Sequence, residues 1–160
     1  MQPRIENIAE KKLMGRHSKM SFSNNKNKTF QLWQGFMQRR KEIKNSVNTD
    51  LYSMQIFDKS LEYKDFSPNT EFEKWAAVEV TDFDNVPAGM ETHLMTGGKY
   101  AVFIHRGTAD TIYKTSQYIF EIWLPNSKYV LDDREHFEIL SHNYDPNDIN
   151  AEEEIWIPIK

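Results

Sequence analysis

The chain reads as an α+β domain made of a duplicated β-α-β-β unit, a curved antiparallel sheet with two helices related by a pseudo-two-fold. Three observations predict this. Two segments carry apolar residues at helical spacing, each preceded by an extended stretch and followed by two more. A glycine or proline marks the turns between them. The length of 160 residues, 39% of them hydrophobic, suits one domain over 1–160 with its own core. The repeats divide at about 1–84 and about 85–160.

The first extended stretch, Arg4 to Phe22, mixes apolar and charged residues and is expected to break near Gly15. Asn24 to Lys28 reads as a polar loop, with Thr29 offering an N-cap hydroxyl to a helix reaching about Lys44. Leu32, Trp33, Phe36, Met37 and Ile43 give that helix one apolar stripe. Leu51 to Phe57 reads as a strand and Asp58 to Thr70 as a loop. Trp75 to Thr81 alternates, with Ala76, Val78 and Val80 on one face and Trp75, Ala77 and Glu79 on the other. Met90 to Met95 and Tyr100 to His105 are extended around Gly97-Gly98. Thr108 or Asp110 caps the second helix, whose stripe is Ile112, Thr115, Ile119 and Ile122, and Pro125 closes it. His136 to Leu140 and Ile155 to Ile159 complete the second unit.

Composition excludes several classes. With no cysteine there is no disulfide, zinc finger or thiol nucleophile. Apolar runs such as Ala101 to Ile104 fall far short of a membrane span, and Met1 to Met20 lacks a signal-peptide apolar core, so a cytoplasmic protein is expected. The net charge of −4 hides an asymmetry: residues 1–48 hold eleven Lys/Arg against three Asp/Glu, and the rest hold nine against twenty-one. Arg39, Arg40, Lys41 and Lys44 read as a solvated helix face, since net acidity disfavours polyanion binding.

Catalytic motifs are absent. His17, His93, His105, His136 and His142 have no metal-ligand spacing, and Thr96-Gly97-Gly98-Lys99 is no phosphate loop. No metal or cofactor is expected. Glu152-Glu153-Glu154 and Asp132-Asp133 read as solvated edges. Two strand carboxylates stand out: Glu79 within Val78-Glu79-Val80, and Glu138 within Phe137-Glu138-Ile139-Leu140. Trp33, Trp75, Trp123, Trp156, Tyr100 and Tyr118 all fall in ordered segments. A carboxylate among aromatic rings attracts a cation by charge and by cation–π interaction. Sequestering the acid raises its pKa until a cation restores ionisation.

These residues carry a resemblance. Pro87-Ala88-Gly89-Met90 and Gly98-Lys99-Tyr100-Ala101-Val102-Phe103-Ile104-His105-Arg106-Gly107 are similar to the GyrI-like effector-binding family. Thr115 to Pro125 resembles its "T-x-x-x-I-x-x-x-W-L-P" helix, and Phe137-Glu138 with Ile155-Trp156-Ile157-Pro158-Ile159 resembles its closing strands. Leu32-Trp33-x-x-Phe36 and Ala77-Val78-Glu79-Val80 match more loosely. The resemblance implies the SHS2-type duplicated fold. It also implies a stand-alone relative of the effector-binding halves of AraC- and MerR-type multidrug transcription regulators. The ligand implied is a cationic, lipophilic small molecule in a cleft between the repeats. By motif position Glu138 would meet its charge and Trp156 its apolar body; Trp33, Phe36, Trp75 and Tyr118 are assigned from their elements, and Trp123 reads as core.

The chain starts at the family's first strand, so direct DNA binding is not expected. Two alternatives stay open. One is a protein-binding modulator of the gyrase-inhibitor type, docking through the charge asymmetry. The other is a hydrolase of cyclopropane-containing electrophiles, with Glu138 acting on water and Tyr100 or Tyr118 as donor.

Overall fold

A computed structural model describes residues 1–59 and 61–160. Its eight strands among those residues are β1 (Arg4–Ile8), β2 (Lys11–Ser21), β3 (Leu51–Phe57), β4 (Glu71–Glu79), β5 (Glu91–Met95), β6 (Gly98–Arg106), β7 (His136–Leu140) and β8 (Glu152–Pro158). They form one antiparallel sheet in the order β1-β6-β8-β7-β3-β4-β2-β5. That order is symmetric about the β7–β3 pair. The first unit contributes β3-β4-β2 on one side and the second contributes β7-β8-β6 on the other. Each unit also sends its leading strand across: β1 pairs with β6, and β5 pairs with β2.

This topology forces the curvature. Only Ala9-Glu10 separates β1 from β2, and only Thr96-Gly97 separates β5 from β6, yet each pair lies at opposite ends of the strand order. Links so short can be made only if the two ends of the sheet come together, almost as a barrel. The links touch where they cross. A Cβ on Gly97 would stand 2.4 Å from the Ile8 carbonyl oxygen, so only glycine fits. Gly15 does not break the first stretch; β2 runs through it, and the backbone of Ala76 approaches too closely for a side chain. The interruption falls instead at Ala9-Glu10.

Helix α1 (Asn25–Arg39) begins four residues ahead of Thr29 and passes into a 3₁₀ turn at Arg40–Glu42. Asn25 to Lys28 form its solvated first turn and carry no apolar periodicity to announce it. Thr29 donates its hydroxyl to the Met20 sulfur at 3.3 Å. The second helical segment starts with a 3₁₀ turn at Ala109–Thr111, flanked by Thr108. It continues as α2 (Ile112–Gln117), a π turn (Tyr118–Trp123) and a last turn (Leu124–Asn126). The π turn widens the spiral and shifts the apolar stripe by about one residue. Ile119 is fully buried, Ile122 is 53% exposed, and Trp123 packs edge-on against Phe103. Pro125 lacks an amide proton, and Asn126 Nδ2 donates to the Ile122 carbonyl at 2.7 Å beside it.

Both helices lie on one face of the sheet. Beneath α1, Leu32 and Phe36 meet Met14, Ala76 and Val78; beneath the second helix, Ile119 meets Ala101, Phe103, Ile155 and Ile157. The opposite, concave face is a third core, with Tyr52, Met54, Trp75, Tyr100, Phe137 and Trp156.

Candidate ligand-binding crevice

The register across the sheet defines a polar strip. Residues directly opposite one another share a face. One row on the helix face runs Ala76, Ser53, Glu138, Ile155, Phe103; the next runs Lys74, Gln55, His136. The ends of the first row are apolar and lie beneath the two helices. The middle is polar: Ser53, Gln55, Glu138 and His136 belong to neither apolar cluster. A polar strip therefore runs along the β3–β7 pair, at the centre of the pseudo-symmetry and between the helices. Lys26 at the start of α1 reaches Asp110 near the start of the second helix at 3.5 Å.

Glu138 is the focus of the strip, with its side chain 15% exposed. Gln55 Nε2 donates to its Oε1 at 3.1 Å, and Lys74 Nζ stands 3.9 Å from the same oxygen. Glu153 adds a second acid. It is 6% exposed, on the face of β8 shared with Ile155, and Tyr144 donates its hydroxyl to it. Burial pushes the Glu138 carboxyl up to about 7; Glu153 adds to the rise, while Lys74 and Gln55 oppose it. Burial also raises Glu153, with Tyr144 and Lys74 opposing. His136, 8% exposed, is pushed down to about 4 by burial and by Arg134. Two buried acids thus lie on one face with a single lysine paired to Glu138, and ionising both leaves a negative charge uncompensated.

The structure separates the other sequence-derived candidates. Period-two alternation puts Trp156 opposite Phe137, and so on the concave face, while Glu138 lies opposite Ile155 on the helix face. Trp156 stacks on Phe137 at 5.1 Å, carries the Arg4 guanidinium at 5.5 Å over its ring, and has a buried indole nitrogen without a partner. Trp75 is also on the concave face, stacked on His17 at 4.6 Å with its Nε1 donating to Glu73 at 2.6 Å. Neither tryptophan reaches Glu138's face. Phe36 is core beneath α1, and Trp33 packs against that core, edge-on to Phe36 at 5.9 Å. Tyr118 packs against the second helix's core and donates its hydroxyl to the Met1 carbonyl at 3.0 Å.

Other residues of this face escaped the sequence reading. Lys74 follows Phe72 and precedes Ala76 and Val78 on an inward-facing parity, and Glu153 precedes Ile155 and Ile157 in the same way. A charge at an apolar-parity position was the available signal. Glu153 was hidden within a run of three glutamates, and its neighbours Glu152 and Glu154 lie on the other face of β8, paired with Arg106 and Arg4. The basic cluster is partly engaged within the fold. Arg39 pairs with Glu42 at 2.7 Å, and Arg40 donates to the Thr49 carbonyl at 2.9 Å.

Comparison with known proteins fits this arrangement. The GyrI-like small molecule binding domain model matches residues 1–160. The chain is 32% identical over 130 residues to the transcriptional regulator BrlR of Pseudomonas aeruginosa, covering 81% of this chain and 45% of that protein. It therefore spans less than half of that relative's length. In fold it is similar to SAV2435, solved bound to tetraphenylphosphonium (TM-score 0.72, 16% identity, 100% of this chain and 94% of that one). It is similar also to EcmrR, solved in a DNA complex (TM-score 0.73, 14% identity, 99% of this chain and 57% of that one). The chain belongs to the GyrI-like small-molecule-binding domain family.

Proposed function

We propose that the polar strip along the β3–β7 pair binds lipophilic organic cations, with Glu138 as the counter-charge, in a sensing or regulatory role. The observation carrying this reading is the shortage of positive charge around two buried acids on one sheet face: Lys74 stands 3.9 Å from Glu138 and forms no ion pair with Glu153. A proton relieves the deficit in the empty protein, and an organic cation relieves it in the complex. At ~4 Å and an effective dielectric near 20, such a pair is attracted by about 4 kcal/mol, against about 0–1 kcal/mol for an exposed pair. The Glu138 side chain is mostly buried, so the stronger regime applies. The apolar clusters on either side of the polar strip supply surface for the ligand's hydrocarbon. SAV2435 was solved with a lipophilic cation, which supports the same ligand class here.

The test is a titration at pH 8 with a lipophilic cation and its neutral isostere, on wild type and Glu138→Gln. We expect the variant to weaken the cation about tenfold or more and the neutral compound by less than about threefold. Equal losses for both compounds contradict the electrostatic role.

A further inference from the structure

β6 ends at His105-Arg106, and Gly107 turns the chain into the second helical segment, two strands removed from β7 in the sheet order. A cavity of about 380 Å³ opens at this corner, within the ~300–1,000 Å³ typical of small-molecule sites. Arg106, Thr108, Thr111 and Lys114 line it. None of them is used by the polar strip around Glu138.

The corner is fixed from behind by a buried imidazole. His105 is 4% exposed; its Nε2 donates to the Thr108 carbonyl at 3.3 Å, and the buried Thr115 hydroxyl donates to its Nδ1 at 2.7 Å. Thr111 donates to the same Thr108 carbonyl at 2.7 Å. Gly107, at φ 138°, admits that hydroxyl, since a Cβ there would stand 2.9 Å from it. The Gly107 and Ala109 amides are spent on the Ala151 and Pro146 carbonyls, both at 2.9 Å. The Thr108 hydroxyl and the Lys114 ammonium make no hydrogen bond or ion pair among the described residues.

The charge at the corner is one-sided. Arg106 and Lys114 are cations, and no carboxylate belongs to the described lining. The acids nearest in sequence are engaged elsewhere: Asp110 with Lys26 at 3.5 Å, and Asp148 with the Asn150 amide at 2.8 Å. Glu152, opposite Arg106 on β8, competes for that guanidinium, and both members of the pair are exposed. Yet residues 49–160, which supply the whole corner, hold nine Lys/Arg against twenty-one Asp/Glu. The pseudo-symmetric corner between β2 and α1 gives a contrast. Its cavity of about 300 Å³ has Lys19 and Lys28, but Glu71 lines it too, and Lys28 already donates to the Lys19 carbonyl at 3.1 Å.

We infer that the corner between β6 and the second helix is a separate binding site for an oxyanion, the phosphate group of a small molecule. Lys114 supplies a point charge, Thr108 a hydroxyl donor, and Arg106 a fork of N–H donors once it leaves Glu152. Donors from a strand end, a turn and a helix suit a tetrahedral phosphate better than a flat carboxylate. The inference is independent of the role of Glu138.

Inorganic phosphate is the probe, titrated at pH 8 and followed by phosphorus NMR, with chloride holding the ionic strength constant. Wild type should bind it with a Kd of about 1–10 mM. Lys114→Gln should weaken phosphate by about fivefold or more, and Glu152→Gln, which frees Arg106, should tighten it about threefold. The matching changes at the other corner, Lys28→Gln and Glu71→Gln, should each shift it by less than about twofold. All four residues are exposed, and thermal unfolding without phosphate checks that the variants fold. Absence of phosphate binding by wild type and Glu152→Gln overturns the site. Equal effects of the paired changes at the two corners also overturn it, because they would report net charge alone.

Discussion

Glu138 and His136 share one strand face and titrate in opposite senses. A carboxyl raised from 4.5 to about 7 contributes stability that is complete below 4.5 and lost as pH climbs through 7. An imidazole lowered from 6.5 to about 4 does the reverse, contributing above 6.5 and losing its contribution as pH falls through 4. Between about 4.5 and 6.5 the two slopes offset each other. Glu138→Gln removes one of them. In urea unfolding, the variant should gain on wild type by on the order of 2–3 kcal/mol between pH 4 and pH 8. A difference independent of pH would mean that the carboxyl is not raised. Lys74→Met should cost on the order of 3 kcal/mol at pH 8, where Glu138 is ionised, and clearly less at pH 5. Glu138 could be picked out in the sequence because a charge between Phe137 and Ile139 is conspicuous. Lys74 carried a different signal, a charge in phase with Phe72, Ala76 and Val78, but the reading of its strand began one residue later, at Trp75.

Strand elements were the most legible. The strand read at Leu51 to Phe57 is β3 as observed, and period-two alternation sorted Ala76 and Val78 from Trp75 and Ala77 correctly. Alternation also decides which face each residue serves, and a motif match does not. The closing-strand motif assigned Trp156 to the ligand, whereas its register with Phe137 puts it across the sheet from Glu138's face. The helices were legible as stripes but not at their ends, nor through the π turn, which no 3.6-residue period reveals. That turn makes a sharp prediction. Ile119→Ala should cost about 2–5 kcal/mol, as for a fully buried side chain, whereas Ile122→Ala should cost less than about 1 kcal/mol despite sharing the expected stripe. Thermal or urea unfolding of the pair decides it. The aromatic segment 58–70 had no periodicity at all, because its rings are placed by contacts with β3 and the π turn.

At the scale of the molecule, the exchange of β1 and β5 between the units bends the sheet until its ends meet. That closure buries the concave core without a third layer and leaves the helix face to carry the polar strip around Glu138. Gly97 sits at the crossing of the two links, so Gly97→Ala should cost about 1–3 kcal/mol, seen as a lowered Tm. No helix among the described residues is long and apolar enough to cross a membrane. The central claim is that a cation replaces a proton on Glu138. Calorimetric titration of a lipophilic cation at pH 6.5, repeated in buffers of different ionisation heat, counts the protons that leave on binding. Wild type should release between about half and one proton per cation bound, and Glu138→Gln distinctly fewer. Release of no proton by wild type, or an equal release from the variant, would contradict the claim.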